Sequence, residues 1–326
     1  MQIQKEERDS MYEKNCEAMR RIVEEHAVIR HVSRHRKPDG SFDLEGNRKI
    51  WNDALDRLEL IRLWEDGAPG FEPEKDPLQR EPAMAFIPGR NNGEKRGTVI
   101  VAPGGGFESI TGCEGMNVAL YFAEAGFNTA VLSYRLKPYT RYDSLADMQR
   151  AIRLLRAEKE RLGITERVAV MGFSAGGMLS GNAATHYDAG NPASADPTER
   201  QGCRPDAAVI AYGAFAFSTY PQGLMGFFHN PFVRNREELY YFAPEANVTP
   251  ETPPMFIWQT NSDDPRHSMA LGSALQQAGV EFEMHLFPQG VHGLALADGE
   301  NDLAMNIPHV ARWAEMCSEW LAEKGI

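Results

Sequence analysis

The sequence predicts an α/β protein with a mostly parallel central sheet, helices on both faces, and a helical N-terminal extension. Three observations carry this. Short apolar runs alternate with helical stretches from residue 98 onward, as parallel strands joined by crossover helices require. The runs are apolar throughout instead of alternating with polar residues, so both sheet faces must be covered. One run leads straight into a glycine-flanked serine and then a helix. With 326 residues, 42% hydrophobic and 25% charged, the chain suits one large globular domain with an appendage, and disordered, collagenous and disulfide-scaffold classes are excluded.

The extension is read as residues 1–57 and the main domain as 58–326. Tyr12, Cys16, Met19 and Val23 share one face of a first helix, and Trp51, Leu55, Leu58 and Arg62 mark a second from about Asn47 to Leu63. Those faces are expected to pack on the main domain; contact with a second subunit is the alternative, which leaves a homo-oligomer open. Prolines and glycines between Ala68 and Gly93 predict turns and short edge strands.

Then come strand Thr98–Ala102, a helix near Asn117–Ala125, strand Asn128–Ser133, a helix over Ser144–Leu162, strand Arg167–Met171 and a helix from Ala175. Strands Ala207–Ala211, Met255–Trp258 and Glu281–Leu286 and a helix over Ile307–Lys324 complete the pattern. Between Gly213 and Pro254 lies an aromatic-rich insertion that includes Phe227 and Phe228, and insertions of that length usually serve function.

Acidic residues outnumber basic ones 46 to 34, so the net charge of −12 repels nucleic acid and anionic membranes and suits neutral small molecules or sugars. No apolar run approaches the roughly 20 residues that span a bilayer, and the first residues lack a basic-then-apolar leader, so a cytoplasmic location is expected. Cys16, Cys113, Cys203 and Cys317 form no C-x-x-C pair and read as reduced structural thiols. His31 and His35 stand four apart beside arginines with no carboxylate at matching spacing, a solvated face instead of a metal pair. Neither the cysteines nor this pair points to a metal site.

Strand 167–171 runs into Gly172-Phe-Ser174-Ala-Gly176-Gly177 and a helix, the context that turns G-x-S-x-G into a nucleophile elbow. A serine hydroxyl needs a base, and the base an orienting carboxylate, which in this arrangement follow in the order serine, acid, histidine. His285 falls in a strand, His309 in the last helix and His267 beside the acid loop, which leaves His292, in a glycine-flanked loop after the last strand. Strand 255–258 ends in a loop holding Asp263 and Asp264, where catalytic groups of open α/β sheets gather. Spacing alone does not choose between them; Asp263 is preferred, and the other is expected to cap the helix that starts near His267. Pro103-Gly104-Gly105-Gly106-Phe107 follows strand 98–102 where an oxyanion donor is needed, so Gly105, Gly106 or Phe107 is expected to supply one N–H and Ala175 another. The glycines are no phosphate loop, because Phe107-Glu108-Ser109 follows instead of Lys-Ser or Lys-Thr. Phe107, Phe227 and Phe228 are candidate substrate contacts.

Over roughly residues 60–325 the chain resembles the α/β-hydrolase superfamily, and within it the bacterial acetyl esterase or acetylxylan esterase-like group, the BD-FAE-like esterases. The resemblance rests on Leu63-Trp-Glu-Asp-Gly-Ala-Pro-Gly70, Pro103-Gly-Gly-Gly-Phe107, Glu114-Gly115, Tyr134-Arg135-Leu136, Gly172-Phe-Ser-Ala-Gly-Gly177, Val248-Thr-Pro-Glu-Thr-Pro-Pro254 and Leu286-Phe-Pro-Gln-Gly-Val-His-Gly293. It implies serine esterase chemistry on short acyl esters, commonly acetyl groups on sugars, without a cofactor; an oligosaccharide ester would then be the partner. The acid loop Asp-Asp-Pro265-Arg-His-Ser268 is shorter than the group's pattern, and nothing is carried over to residues 1–57. An amidase or peptidase of the same fold, or a silent binding protein, stands as the alternative.

Overall fold

The structure, a computed structural model, describes residues 2–25, 37–39, 41, 43–91, 94–215, 235–301 and 303–326. Its centre is an eight-stranded sheet: β1 (Leu60–Arg62), β2 (Ala83–Ile87), β3 (Thr98–Ala102), β4 (Asn128–Ser133), β5 (Val168–Phe173), β6 (Ala207–Ala211), β7 (Met255–Thr260) and β8 (Phe282–Phe287). The spatial order is β1-β2-β4-β3-β5-β6-β7-β8. β2 runs antiparallel to β1 and to β4, and β3 to β8 are mutually parallel. Every residue of β2, β3, β5, β6 and β7 is buried, as their continuous apolar runs require, whereas the two edge strands, β1 and β8, are half-buried along most of their length.

Ten α-helices lie among the described residues: α1 (Gln2–Glu25), α2 (Leu44–Leu55), α3 (Met116–Glu124), α4 (Arg141–Ala157), α5 (Lys159–Leu162), α6 (Ala175–Thr185), α7 (Arg236–Tyr241), α8 (Arg266–Ala278), α9 (Pro308–Ala311) and α10 (Trp313–Glu323). The α4 start at Arg141 lies three residues before the expected one because Asp143 accepts the Thr140 N–H at 2.8 Å, a cap one turn upstream of the apolar stripe. The helix expected to run unbroken to Leu162 is interrupted at Glu158, and the terminal one at Arg312.

The second helix of the extension departs most from expectation. It ends at Leu55, and Leu60–Arg62, assigned above to its last turn, is strand β1, with Leu60 opposite Ala85 and Arg62 opposite Ala83. Apolar residues four apart fit a helix, but the exposed edge of β2 offers backbone partners that the isolated segment lacks, and tertiary pairing overrides local pattern there.

The first helix packs on the protein's own sheet. Met19 and Ile22 are fully buried in the main core, with Cys16 and Val23 half-buried against it. Asn15 is the polar lock: its amide donates to Glu59 O (2.9 Å) and Phe86 O (3.2 Å) and accepts from Glu59 N (2.7 Å). Arg135, of the Tyr134-Arg135-Leu136 segment, donates to Asp147 of α4 at 2.7 Å with both groups buried, tying the end of β4 to that helix. The four cysteines are free; Cys113, Cys203 and Cys317 are buried. The side chain of Tyr12, the His31 and His35 pair, and Phe227 and Phe228 lie outside the described residues. No described helix is long and apolar enough to cross a membrane, and no described cluster of three or more His, Cys, Asp and Glu is placed to hold a metal.

Candidate active site

From β3 the chain steps to β4 on one side of the sheet and then returns to β5 on the other, so the loops leaving β3 and β5 diverge and open a crevice at the carboxyl ends of the strands. Both loops carry predicted site residues. Ser174 closes β5 with φ 53° and ψ −117°, a left-handed conformation that a serine adopts only when its surroundings hold it there. Its N–H donates to Ala211 O (3.0 Å) and its carbonyl accepts from Met178 N (3.0 Å), so β6 and the first turn of α6 clamp the elbow. Close packing demands the glycine at 176, where a Cβ would overlap the Ala102 and Pro103 carbonyls at the end of β3.

Ser174 Oγ lies 2.8 Å from His292 Nε2, and His292 Nδ1 lies 3.0 Å from Asp263 Oδ1. A carboxylate only accepts, so Nδ1 carries the proton and Nε2 is left to accept from the serine hydroxyl. Asp264 points elsewhere: its carboxylate accepts from Arg266 Nε (2.7 Å) and from the Arg266 N–H (3.1 Å) at the start of α8, and Arg266 holds it below the usual carboxylate range. Of the two aspartates, the structure brings Asp263 and not Asp264 to the His292 ring. Ser262 donates to Gly290 O, tying the acid loop to the histidine loop. Asp263 Oδ2 is buried with no hydrogen-bond partner among the described residues, so the whole directed interaction of this carboxylate falls on His292. Crowding by protein atoms pushes the His292 pKa down, but the hydrogen bond and charge of Asp263 and the charge of Glu114 outweigh it and hold the ring above the ordinary histidine value.

The glycine loop winds over the elbow. Gly105 and Gly106 have φ of 124° and 66°. Gly104 sits so close that a Cβ there would stand 2.8 Å from both Ser174 Cβ and Phe173 O. Ala175 opens α6, so its N–H has no partner within the helix. The Phe107 ring is 3% exposed, edge-on to Tyr134 at 6.1 Å with the Arg141 guanidinium over its face, so it belongs to the interior and not to a solvent-facing wall. Phe227 and Phe228 are not among the described residues.

Three further residues make contacts at the site that sequence reasoning did not assign. Arg48 of α2 donates to Glu108 O (2.7 Å) and Lys137 O (2.8 Å) and pairs with Asp76, so the N-terminal segment braces the glycine loop from behind. Tyr212, at the end of β6, sets its ring edge-on to His292 at 5.1 Å, and Glu114 is a buried carboxylate in the loop after β3. Glu114 was visible in the sequence as part of the Glu114-Gly115 motif and as a charge within an otherwise uncharged stretch from Ser109 to Phe122, but neither gave it a role.

A model of the BD-FAE family matches residues 86–275. The chain belongs to the BD-FAE family. The match spans the glycine loop, Ser174 and Asp263 and stops before His292, which the fold supplies from the loop after β8. Among curated proteins, an endo-1,4-beta-xylanase B of Butyrivibrio fibrisolvens is 33% identical over 68% of this chain and 36% of its own length. An acetylxylan esterase of Xylanibacter ruminicola is 24% identical over 64% of this chain and 43% of its own. The chain thus spans about two fifths of the curated relatives it matches. Among solved structures, an acetyl ester-xyloside bifunctional hydrolase from Caldicellulosiruptor lactoaceticus aligns with TM-score 0.73 and 30% identity over 82% of this chain and 96% of that one. A carboxylesterase from Lactobacillus plantarum aligns with TM-score 0.62 at 24% identity, over 75% and 93% of the two chains, which bears on the fold alone. The fold of this BD-FAE member is that of the α/β-hydrolases.

Proposed function

We propose that this protein is a serine carboxylesterase that removes short acyl groups, chiefly acetyl, from carbohydrates through an acyl-enzyme. The observation that carries the reading is the continuous chain Ser174 Oγ to His292 Nε2 to Asp263 Oδ1, at 2.8 and 3.0 Å, on a strained strand-to-helix turn. The relatives named for acetylxylan and acetyl ester hydrolysis support the substrate class.

Ser174 Oγ attacks the ester carbonyl carbon while its proton passes to His292 Nε2. The carbonyl oxygen becomes an oxyanion, met by the Ala175 N–H and by N–H groups of the Gly105–Gly106 turn. Collapse breaks the bond to the sugar oxygen, which leaves with the proton held on His292. Water then attacks the acyl-serine, giving its proton to the same nitrogen, and acetate departs as Ser174 regains its hydrogen. Asp263 stays ionised throughout, fixing the imidazole tautomer and stabilising the imidazolium.

Acetate release from acetylated xylo-oligosaccharides, beside aryl acetates and their longer-chain analogues, tests substrate class and acyl size together. Ser174→Ala should reduce turnover to near background with the fold intact, and a fluorophosphonate should label Ser174 of the parent. Activity of Ser174→Ala within about tenfold of the parent would sink the assignment.

A further inference from the structure

A second carboxylate serves the site from within the fold. Glu114 is 2% exposed. Its Oε2 accepts the N–H of Gly104 (2.8 Å), the residue that packs directly on Ser174, and its Oε1 accepts the Tyr212 hydroxyl (2.9 Å). The same phenol oxygen accepts the N–H of Ala295 (2.9 Å), three residues beyond His292. Tyr212 holds φ 38°, a conformation unfavourable for a bulky side chain, while its ring meets the His292 ring. One carboxylate therefore links the loops after β3, β6 and β8. A site that needed only packing would be filled more cheaply by an apolar side chain, because burying a carboxylate costs several kcal/mol that hydrogen bonds only partly offset.

We propose that Glu114 is a positioning residue for the reaction: it fixes the glycine turn and, through Tyr212, the histidine loop about Ser174, and its charge stabilises the imidazolium of His292. The inference rests on the serine esterase reading above. Among the described residues, the titratable groups facing this pair are Asp263 at the ring, His267 and the Asp264–Arg266 pair beyond it, and Tyr134, Tyr212 and Cys113 around Glu114. Burial pushes both phenols up, so neither carries charge where histidine titrates. Among the described residues, the negative charges that act on the His292 ring are those of Asp263 and Glu114.

Glu114→Gln in the full chain separates charge from shape. Its carbonyl accepts from Gly104 and its amide donates to the Tyr212 oxygen, which still accepts from Ala295, so the three loops stay tied while the charge is lost; the one bond given up is that of the Tyr212 O–H, whose acceptor is replaced by a donor. Without that charge His292 loses its proton more readily, so the neutral base persists to lower pH. The acid limb of kcat/KM is expected to move down in pH, with kcat on the plateau reduced about tenfold and KM for a small aryl acetate nearly unchanged. Tyr212→Phe keeps the charge and the Gly104 bond but cuts the link to Ala295: kcat should fall with the acid limb in place. Glu114→Ala removes both links, and a loss of about 10²–10³ in kcat is expected, the size seen when an oxyanion donor is removed.

A Glu114→Gln enzyme with parental kcat and acid limb overturns the proposal, even if its melting temperature drops, since that is what a merely structural residue would do. If Glu114→Ala does not fold, the Gln and Phe variants decide. Failure of the underlying reading looks different: a parent that neither reacts with a fluorophosphonate nor releases acetate refutes the serine mechanism and this inference together.

Discussion

Replacing one carboxylate oxygen of Asp263 by an amide nitrogen isolates what the acid contributes. Asp263 Oδ1 and His292 Nδ1 are 3.0 Å apart, which puts the centres of the two charges about 4 Å apart once His292 is protonated. With an effective dielectric near 20 their attraction is about 4 kcal/mol, or about three decades of rate. The His292 side chain is 50% exposed, so water screens part of this and the Coulombic loss alone is nearer two decades. The tautomer adds to the loss. No described residue holds Oδ2, so the amide introduced by Asp263→Asn is free to turn its NH₂ toward Nδ1; the imidazole then carries its proton on Nε2 and cannot accept from Ser174. Together these place Asp263→Asn about 10²–10⁴ below the parent in kcat. Asp264→Asn disturbs only the contact with Arg266 at the start of α8 and should cost less than about tenfold. The assay is saturating hydrolysis of an aryl acetate above the histidine pKa, with active sites counted by fluorophosphonate titration and folding checked by near-ultraviolet circular dichroism. The reverse ranking, or an Asp263→Asn enzyme within tenfold of the parent, would refute the assignment of the acid.

Three further outcomes are expected. Because His292 must be neutral to accept the serine proton and its pKa is raised, kcat/KM should fall with acid through a midpoint above the ordinary value of about 6.5; a rate flat across that region excludes a histidine base. Gly104→Ala places a methyl 2.8 Å from Ser174 Cβ and against the Glu114 carboxylate, so the glycine loop must shift and kcat should drop about 10² or more, a change that single-turnover acylation would locate in the chemical step. Asn15→Ala leaves the backbone groups of Glu59 and Phe86 without the partners that Asn15 supplies and should destabilise the protein by about 1–3 kcal/mol in urea unfolding, whereas an unchanged midpoint would mean that α1 is not docked on the sheet.

The order of strands and helices, the sharp strand-to-helix turn at Ser174 and the placement of His292 in the loop after the last strand were legible in the sequence because each rests on a local signal. An apolar run five residues long, a glycine where a turn approaches a carbonyl, and a serine between a strand and a helix are properties of neighbours along the chain. Asp263 and Asp264 are adjacent, so no local signal separates them; what does is where the loop after β7 meets the loop after β8, a contact between residues 29 apart. Leu60–Arg62 fits a helical stripe in isolation and becomes a strand because the edge of β2 supplies hydrogen-bond partners. The same holds for Arg48, Glu114 and Tyr212: each is a polar side chain whose partners lie on other elements, 60, 10 and 83 residues away, brought within reach only when the sheet closes. Periodicity records which face of an element is buried, whereas the choice of polar partner inside the fold is made by distances that exist only after the elements have packed.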